Sequence, residues 1–177
     1  MDIYQIIATQ FGVWTVREIV CFTLILFVAV VGACFLVHKK KMIPLQAVSG
    51  LVLLAFLGVV FASTVFTRVP DGVHHYELQP FWSWKKVYQG DSELLIDNLL
   101  NTIMLLPMGV LLPYVFRKKL LWWQGLLAGV IVSAGIEICQ LILCRGLFEW
   151  DDMIHNGLGC MVGCVISGFV MKEQDKG

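Results

Sequence analysis

The segment 120–144 reads LLWWQGLLAGVIVSAGIEICQLILC, an apolar run that nevertheless contains a carboxylic acid, Glu137. At a rise of about 1.5 Å per residue, a helix over this segment is long enough to cross the roughly 30 Å hydrocarbon core of a bilayer. Backbone polar groups find no water in that core, so a spanning segment of this kind must pair them within a helix. The segment therefore predicts a transmembrane helix with a functional or structural reason to keep one acid.

The composition of the whole chain supports a membrane protein. Of the 177 residues, 58% are hydrophobic and 15% charged, and the mean hydropathy is +0.79. Soluble domains are nearer to 45–50% apolar and about 25% charged. Thirteen basic residues balance thirteen acidic ones, which leaves no basic excess for nucleic-acid binding. The six cysteines lie in or near apolar runs without a C-x-x-C pair, so we expect small apolar side chains rather than disulfides or metal ligands.

Apolar segments of spanning length recur along the chain. We predict an all-α integral membrane protein, a single domain over residues 1–177 with about five transmembrane helices. We expect the first segment to be a span rather than a cleaved signal peptide, because it lacks a basic leader and an A-x-A site. The predicted spans are 16–37, 44–67, 94–116, 120–144 and 152–171.

The basic residues of the short loops predict the orientation. They concentrate in residues 38–41, in residues 117–119 and in the C-terminal tail, which all lie on one side of a five-span protein. Such residues mark the cytoplasmic side. We therefore expect the C-terminus to be cytoplasmic, and the N-terminus and the loops 68–93 and 145–151 to be outside.

Aromatic residues in the first outer loop indicate a membrane-surface helix. Phe81, Trp84 and Tyr88 share one helical face, as expected of a short helix along the outer leaflet. Alternatively, these side chains flank the entrance to a lipid or sugar site. The N-terminus shows a similar face, formed by Ile3, Ile6, Ile7, Phe11 and Trp14.

Polar side chains occur at the outer ends of three predicted spans. Ser133, Glu137 and Gln140 share one face of the fourth span, Asp152 and Asn156 begin the fifth, and Asn98 and Asn101 begin the third. Ionisable groups are costly in a bilayer, so we expect these side chains to converge on a polar chamber open to the outside. The alternative is that they only hydrogen-bond across the bundle and that Asp152 complements a helix dipole.

Two arginines, Arg68 and Arg145, are expected at the mouth of this chamber. Each could hold a phosphate or carboxylate of a ligand, or pair with Glu149, Asp151 or Asp152. No cofactor motif is present, and a metal bound by Glu137, Asp152 and His155 is a minor alternative. The candidate ligand-binding residues are Arg68, Asn98, Asn101, Glu137, Gln140, Arg145, Asp151, Asp152 and Asn156.

In their order along the chain, several motifs resemble those of the VanZ-like family of small bacterial membrane proteins. The likeness covers about residues 68–163, and its departures are a leucine at 105 or 106, where an aromatic residue is usual, and His155 before Asn156. The motifs are Arg68 with LQPF (78–81), NLLNTIMLLPMGVLLP (98–113), SAGIEICQ (133–140) and RGLFEWDDMIHNGLG (145–159).

The resemblance implies a bacterial cell-membrane protein and a connection with glycopeptide antibiotics. The family is named for a protein associated with resistance to teicoplanin, a glycopeptide with a fatty-acyl tail that acts at the outer membrane surface. Our first hypothesis is therefore a membrane factor that engages a lipid-tailed ligand, either a lipoglycopeptide or an envelope lipid.

Two other hypotheses remain open. One is an intramembrane enzyme acting on a lipid-linked envelope precursor, with Glu137, Asp152 and His155 as acid–base or nucleophilic groups. The other is a transporter or flippase, although the sequence shows no obvious internal repeat. The motifs of serine hydrolases, zinc proteases and phosphate-binding loops are absent from the sequence.

Overall fold

A computed structural model describes residues 15–70 and 72–174, so the predicted N-terminal face lies outside the described residues. The described chain is almost entirely helical. Its elements are α1 (Val16–His38), α2 (Pro44–Phe61) continued by a π-helical turn (Ala62–Phe66), β1 (His75–Glu77), α3 (Trp82–Tyr88), α4 (Ser92–Met104), α5 (Leu106–Phe116), α6 (Trp122–Ile142), β2 (Leu147–Glu149) and α7 (Trp150–Gln174).

The prediction of five spanning helices is confirmed. In the described part of the chain, five helical segments are long and apolar enough to cross a membrane: Val16–His38, Pro44–Phe66, Ser92–Phe116, Trp122–Ile142 and Trp150–Met171. The third consists of α4 and α5 together, because the helix breaks at Leu105, two residues before Pro107. Proline removes a backbone donor and clashes with the preceding turn, which explains the break.

Local sequence signals fix the helix starts. Thr15 and Glu18 form a capping box at the start of α1, where the Thr15 hydroxyl accepts from the Glu18 N–H. The Asp91 carboxylate accepts from the N–H groups of Glu93 and Leu94 at the start of α4. α2 begins at Pro44, where the missing N–H costs nothing.

Glycine contacts place α7 at the centre of the bundle. A Cβ atom on Gly159 would lie 1.7 Å from the Thr102 carbonyl oxygen of α4, and one on Gly163 would lie 2.2 Å from that of Leu106. On α6, a Cβ on Gly129 would lie 2.9 Å from the Asn156 carbonyl oxygen. These glycines allow close approach of the helices, which brings three polar helix ends against one another.

A short parallel sheet connects the two loops at one end of the bundle. β1 pairs with β2 in parallel, with His75 opposite Leu147 and Glu77 opposite Glu149. Three-residue strands are too short to show an alternating pattern, so the sequence did not predict them. We call this end, where α4 and α7 begin and α2 and α6 end, the polar end; the opposite end contains the basic loops and is called the basic end.

The predicted helix in the first long loop is present as α3. It contains Trp84 and Tyr88, but Phe81 precedes it in a left-handed conformation with φ of 62°. Tyr88 is 94% exposed, as an interfacial anchor would be, whereas Trp84 also bonds to the bundle as described below. Whether α3 lies in the headgroup zone stays a prediction.

Candidate functional site

Polar side chains from α4, α6 and α7 meet at the polar end. The Asn101 side-chain amide donates to the Asp152 carboxylate at 2.5 Å, and the Asn156 amide donates to the Ser133 hydroxyl at 2.9 Å. Asn156 is 2% exposed and Ser133 is fully buried. We call the following residues the polar cluster: Arg68, Asn98, Asn101, Ser133, Glu137, Gln140, Asp152 and Asn156.

Glu137 is held by the loop before α7. Its side chain is 2% exposed, and one carboxylate oxygen accepts from the Glu149 backbone N–H at 2.9 Å. One turn further along α6, the Gln140 amide donates to the Thr64 carbonyl oxygen at 2.9 Å. That carbonyl belongs to the π-helical turn, so the polar face of α6 also fixes the end of the second span.

Arg68 is the cation that faces the carboxylates of the polar cluster. It interacts electrostatically with Asp97, Glu137 and Asp152. A Cβ atom on Gly146, whose φ is +132°, would lie 2.6 Å from one terminal guanidinium nitrogen of Arg68. Glycine is therefore favoured at position 146 by the backbone conformation, and the end of the Arg68 side chain lies beside it.

Arg145 has a different environment from Arg68. One of its terminal nitrogens donates to the Phe66 carbonyl oxygen at 2.7 Å and to that of Val65 at 3.3 Å. Carbonyl groups at a helix end lack helical partners and carry partial negative charge. Arg145 thus caps the π-helical turn, and its position in the fold follows from these backbone contacts.

Asp151 holds α3 against the start of α7. It is 1% exposed and accepts from the N–H groups of Phe81 at 2.5 Å and Ser83 at 3.0 Å, and from the Ser83 hydroxyl at 2.6 Å. These donors include orphan groups at the start of a helix, which a carboxylate satisfies well. Asp151 was predicted to bind a ligand, but its carboxylate already accepts three hydrogen bonds from α3 and the residue before it.

Two tryptophans of α3 also bond to the bundle. The Trp82 indole N–H donates to the Glu149 carboxylate at 2.9 Å, and the Trp84 indole N–H donates to the His155 Nε2 atom at 2.7 Å. The sequence pattern of this loop did not predict either of these bonds. The indole N–H groups could have indicated such bonds, because the N–H of a partly buried tryptophan usually has a hydrogen-bond acceptor.

Several buried polar atoms have no hydrogen-bond partner among the described residues. They include the side-chain nitrogen of Asn98, the side-chain oxygen of Asn156 and the Nδ1 atom of His155. Because Nε2 of His155 accepts a bond, a neutral ring carries its proton on Nδ1. Unsatisfied buried polar groups cost roughly 1–3 kcal/mol each, so each one requires an explanation.

The chemistry available to the site is that of carboxylates, amides, one guanidinium and one imidazole. Within the residues that the structure describes, no group of three or more His, Cys, Asp or Glu side chains is placed to hold a metal ion. Among the described residues, Glu137, Asp152 and His155 therefore do not form the metal site that was considered as a minor alternative. All six cysteines are free thiols.

The loop acid Glu149 lies outside the spans and has an unusual titration. Burial raises its pKa to about 7, and repulsion from Asp152 adds to this effect, while the Trp82 indole bond opposes it. The pKa of an unperturbed glutamic acid is about 4.3. A proton is therefore bound to folded Glu149 at a pH where the unfolded chain has already lost it.

Glu149 should make the protein less stable as the pH rises. Since the folded-state pKa is the higher one, its contribution is fully present below about pH 4.5 and is lost as the pH passes through about 7. We expect the melting temperature of the wild type, relative to Glu149→Gln, to fall between pH 5 and pH 8. Thermal unfolding in detergent measures this, with Glu93→Gln as the matched control; parallel pH profiles for the wild type and Glu149→Gln would contradict it.

Comparison with known proteins agrees with the fold and with the motifs of the polar end. A family model described as VanZ/LLP1 matches residues 47–171, which include every residue of the polar cluster. No curated protein and no solved structure matches the chain. The matched region covers more than half of the sequence, from α2 into α7, and the chain therefore belongs to the VanZ/LLP1 family.

Proposed function

We propose that the protein engages a lipid-tailed ligand, with the ligand's polar head at the polar cluster on the extracytoplasmic side of the membrane. The ligand class is a lipoglycopeptide such as teicoplanin, or an envelope lipid with a comparable head. Membership of the VanZ/LLP1 family supports a link to glycopeptide resistance. The proposal needs a site that offers hydrogen bonds and charge at the depth of lipid headgroups.

One observation carries this proposal: among the described residues, two buried amide atoms of the polar cluster have no hydrogen-bond partner. These atoms are the side-chain nitrogen of Asn98 and the side-chain oxygen of Asn156. The two residues are only 4% and 2% exposed, so water does not readily supply the missing bonds. Asn156 is one helical turn from Asp152, which interacts with Arg68. A ligand head rich in hydroxyl and amide groups would supply the missing donors and acceptors.

The charge distribution between the two ends supports the extracytoplasmic position of the polar cluster. The basic end contains Lys39, Lys40 and Lys41 after α1, and Arg117, Lys118 and Lys119 after α5. Lysine and arginine in short loops are retained in the cytoplasm. The polar end then faces outward, where an antibiotic acting on the cell surface can reach it.

Cysteine labelling in intact cells tests this orientation. In a background in which the six native cysteines are replaced, we expect Lys40→Cys and Lys118→Cys to resist a membrane-impermeant thiol reagent until the cells are lysed. Glu93→Cys at the polar end should react in intact cells, because Glu93 is exposed at the start of α4. Labelling of the first two variants in intact cells would reverse the orientation and contradict the proposal.

Substitutions in the polar cluster test the function. We expect Glu137→Gln, Asp152→Asn and Asn156→Ala to lose growth in teicoplanin at unchanged membrane abundance, because each removes a charge or a hydrogen-bonding group from the site. Glu93→Gln is the matched control and should keep growth. If deletion produces a different envelope phenotype, that phenotype is the readout.

Wild-type growth of all three cluster variants would contradict the proposal and leave a bundle held together by polar contacts. Reduced abundance would assign the substituted residue to folding instead. Growth in a glycopeptide that lacks an acyl tail, compared with growth in teicoplanin, distinguishes recognition of the tail from recognition of the head. Equal protection against both compounds would contradict recognition of the tail.

The second candidate is an intramembrane enzyme acting on a lipid-linked envelope precursor. It rests on His155, whose buried Nδ1 atom lacks a partner among the described residues while its Nε2 atom is fixed by Trp84. Such a ring is oriented for proton transfer, with Glu137 and Asp152 as further acid–base candidates. Release of a modified lipid-linked precursor by the purified protein, lost in His155→Ala, would favour this candidate over binding alone.

A further inference from the structure

An apolar groove lies between α1 and α2 at the polar end. Its volume is about 360 Å³, which is within the usual range of small-molecule sites. The lining includes Cys21, Phe22 and Ile25 on α1, and Gly58, Phe61 and Phe66 on α2 and its π-helical turn. Arg17 and Glu18, at the start of α1, are its charged members.

This groove adjoins a helix that has little contact with the rest of the bundle. None of the residues of α1, all of which are described, is buried, so this helix faces hydrocarbon for most of its circumference. Contact with α2 is made through the Phe22 ring, which lies where a Cβ on Gly58 would be, only 1.9 Å away. The neighbours of an apolar groove at this place are lipid chains.

The charged groups at the mouth differ in their availability. Glu18 accepts from the Thr15 backbone N–H at 2.9 Å, so its carboxylate is turned back toward the start of α1. Arg17 supplies a guanidinium at the same end of the groove, and guanidinium groups bind phosphate in a bidentate manner. The groove therefore combines an apolar slot with a cation at its polar mouth.

The π-helical turn is a wall shared by this groove and the polar cluster. Ala62 and Phe66 line the groove, whereas the Thr64 carbonyl accepts from Gln140 and the Phe66 carbonyl accepts from Arg145. π-Helical turns inside α-helices frequently occur at functional sites. Here the turn separates an apolar compartment from a polar one at the same end of the bundle.

We propose that the groove between α1 and α2 holds one acyl chain of an anionic amphiphile, whose phosphate or equivalent charge lies at Arg17. This inference deepens the proposed function, on which it rests for the identity of the ligand's head. The tail and the charged group beside Arg17 would lie on one side of the π-helical turn, and the rest of the head would lie on the other side, at the polar cluster. An acyl chain suits this groove because its lining is mostly apolar and comes from two neighbouring spans.

Photolabelling of the full chain in vesicles tests this inference directly. The vesicles contain phosphatidylcholine, phosphatidylglycerol and a trace of phosphatidylglycerol with a photoreactive diazirine on its acyl chain. We expect adducts to concentrate on Cys21, Ile25 and Phe61. The yield should fall about fivefold or more in Cys21→Trp, because an indole fills the groove. Leu24→Trp, on the same helix and 59% exposed but outside the lining, should label normally.

A second comparison tests the cation at the mouth. Arg17→Gln should lower labelling by the phosphatidylglycerol probe about threefold, as expected for one exposed ion pair. The same variant should leave labelling by a photoreactive diacylglycerol, which has no phosphate, unchanged. Equal yields with both probes would contradict a role for Arg17 in holding the charged group.

Two results would overturn the acyl-chain proposal. One is uniform labelling along α1 with equal yields in the wild type, Cys21→Trp and Leu24→Trp. The other is efficient disulfide dimer formation through Cys21 with no groove adducts, which would place a second copy of the chain there. Because these readouts do not depend on resistance, a labelled groove with fully active polar-cluster variants would reject the proposed function alone.

Discussion

The close approach of α7 to its neighbours is the constraint on which the polar end depends. Lipid supplies no hydrophobic force between helices, so their association relies on tight packing and internal hydrogen bonds. Gly159 and Gly163 allow the α4–α5 backbone to touch α7, and Gly125 and Gly129 allow α7 to touch α6. A side chain at any of these positions would separate the helices. The bonds from Asn101 to Asp152 and from Asn156 to Ser133 exist because this separation is small.

The loops at the polar end complete the site that the helices begin. The Glu149 backbone satisfies Glu137, while Asp151 and Glu149 receive donors from α3. Adjacent residues thus have different roles: Asp151 holds α3, and Asp152 accepts a hydrogen bond from Asn101 of α4. The two arginines divide in the same way, since Arg145 caps the second span and Arg68 faces the carboxylates. The cation of the proposed binding site is therefore Arg68.

The sequence predicted the parts of this structure that follow from composition and helical period. Long apolar runs gave the spans, and the spacing of Ser133, Glu137 and Gln140 gave the polar face of α6, whose residues are all buried in the structure. These features depend on neighbours within one helix, where the 3.6-residue period fixes which side chains share a face.

Contacts between segments that are distant in sequence could not be predicted from the helical period. The sheet joins His75–Glu77 to Leu147–Glu149 through backbone bonds that no side-chain pattern encodes in so short a strand. The bonds from Trp82 to Glu149 and from Trp84 to His155 could be predicted only with the position of α3 known. That position depends on the hydrogen bond from the Phe81 N–H to Asp151. Arg145 was expected at the ligand mouth, yet its partners are carbonyls exposed by a π-helical turn that the apolar run 44–67 does not reveal.

An experimental density map of the full chain in lipid nanodiscs with teicoplanin would show whether the polar cluster receives a ligand head. We expect density for a polar head within hydrogen-bonding distance of Arg68 and of the Asn98 and Asn156 amides. This density should be absent when the antibiotic is omitted or when Asn156 is replaced by alanine. A map with antibiotic in which these amide atoms are bonded only to other side chains of the protein, with no ligand density at the polar end, would contradict this expectation.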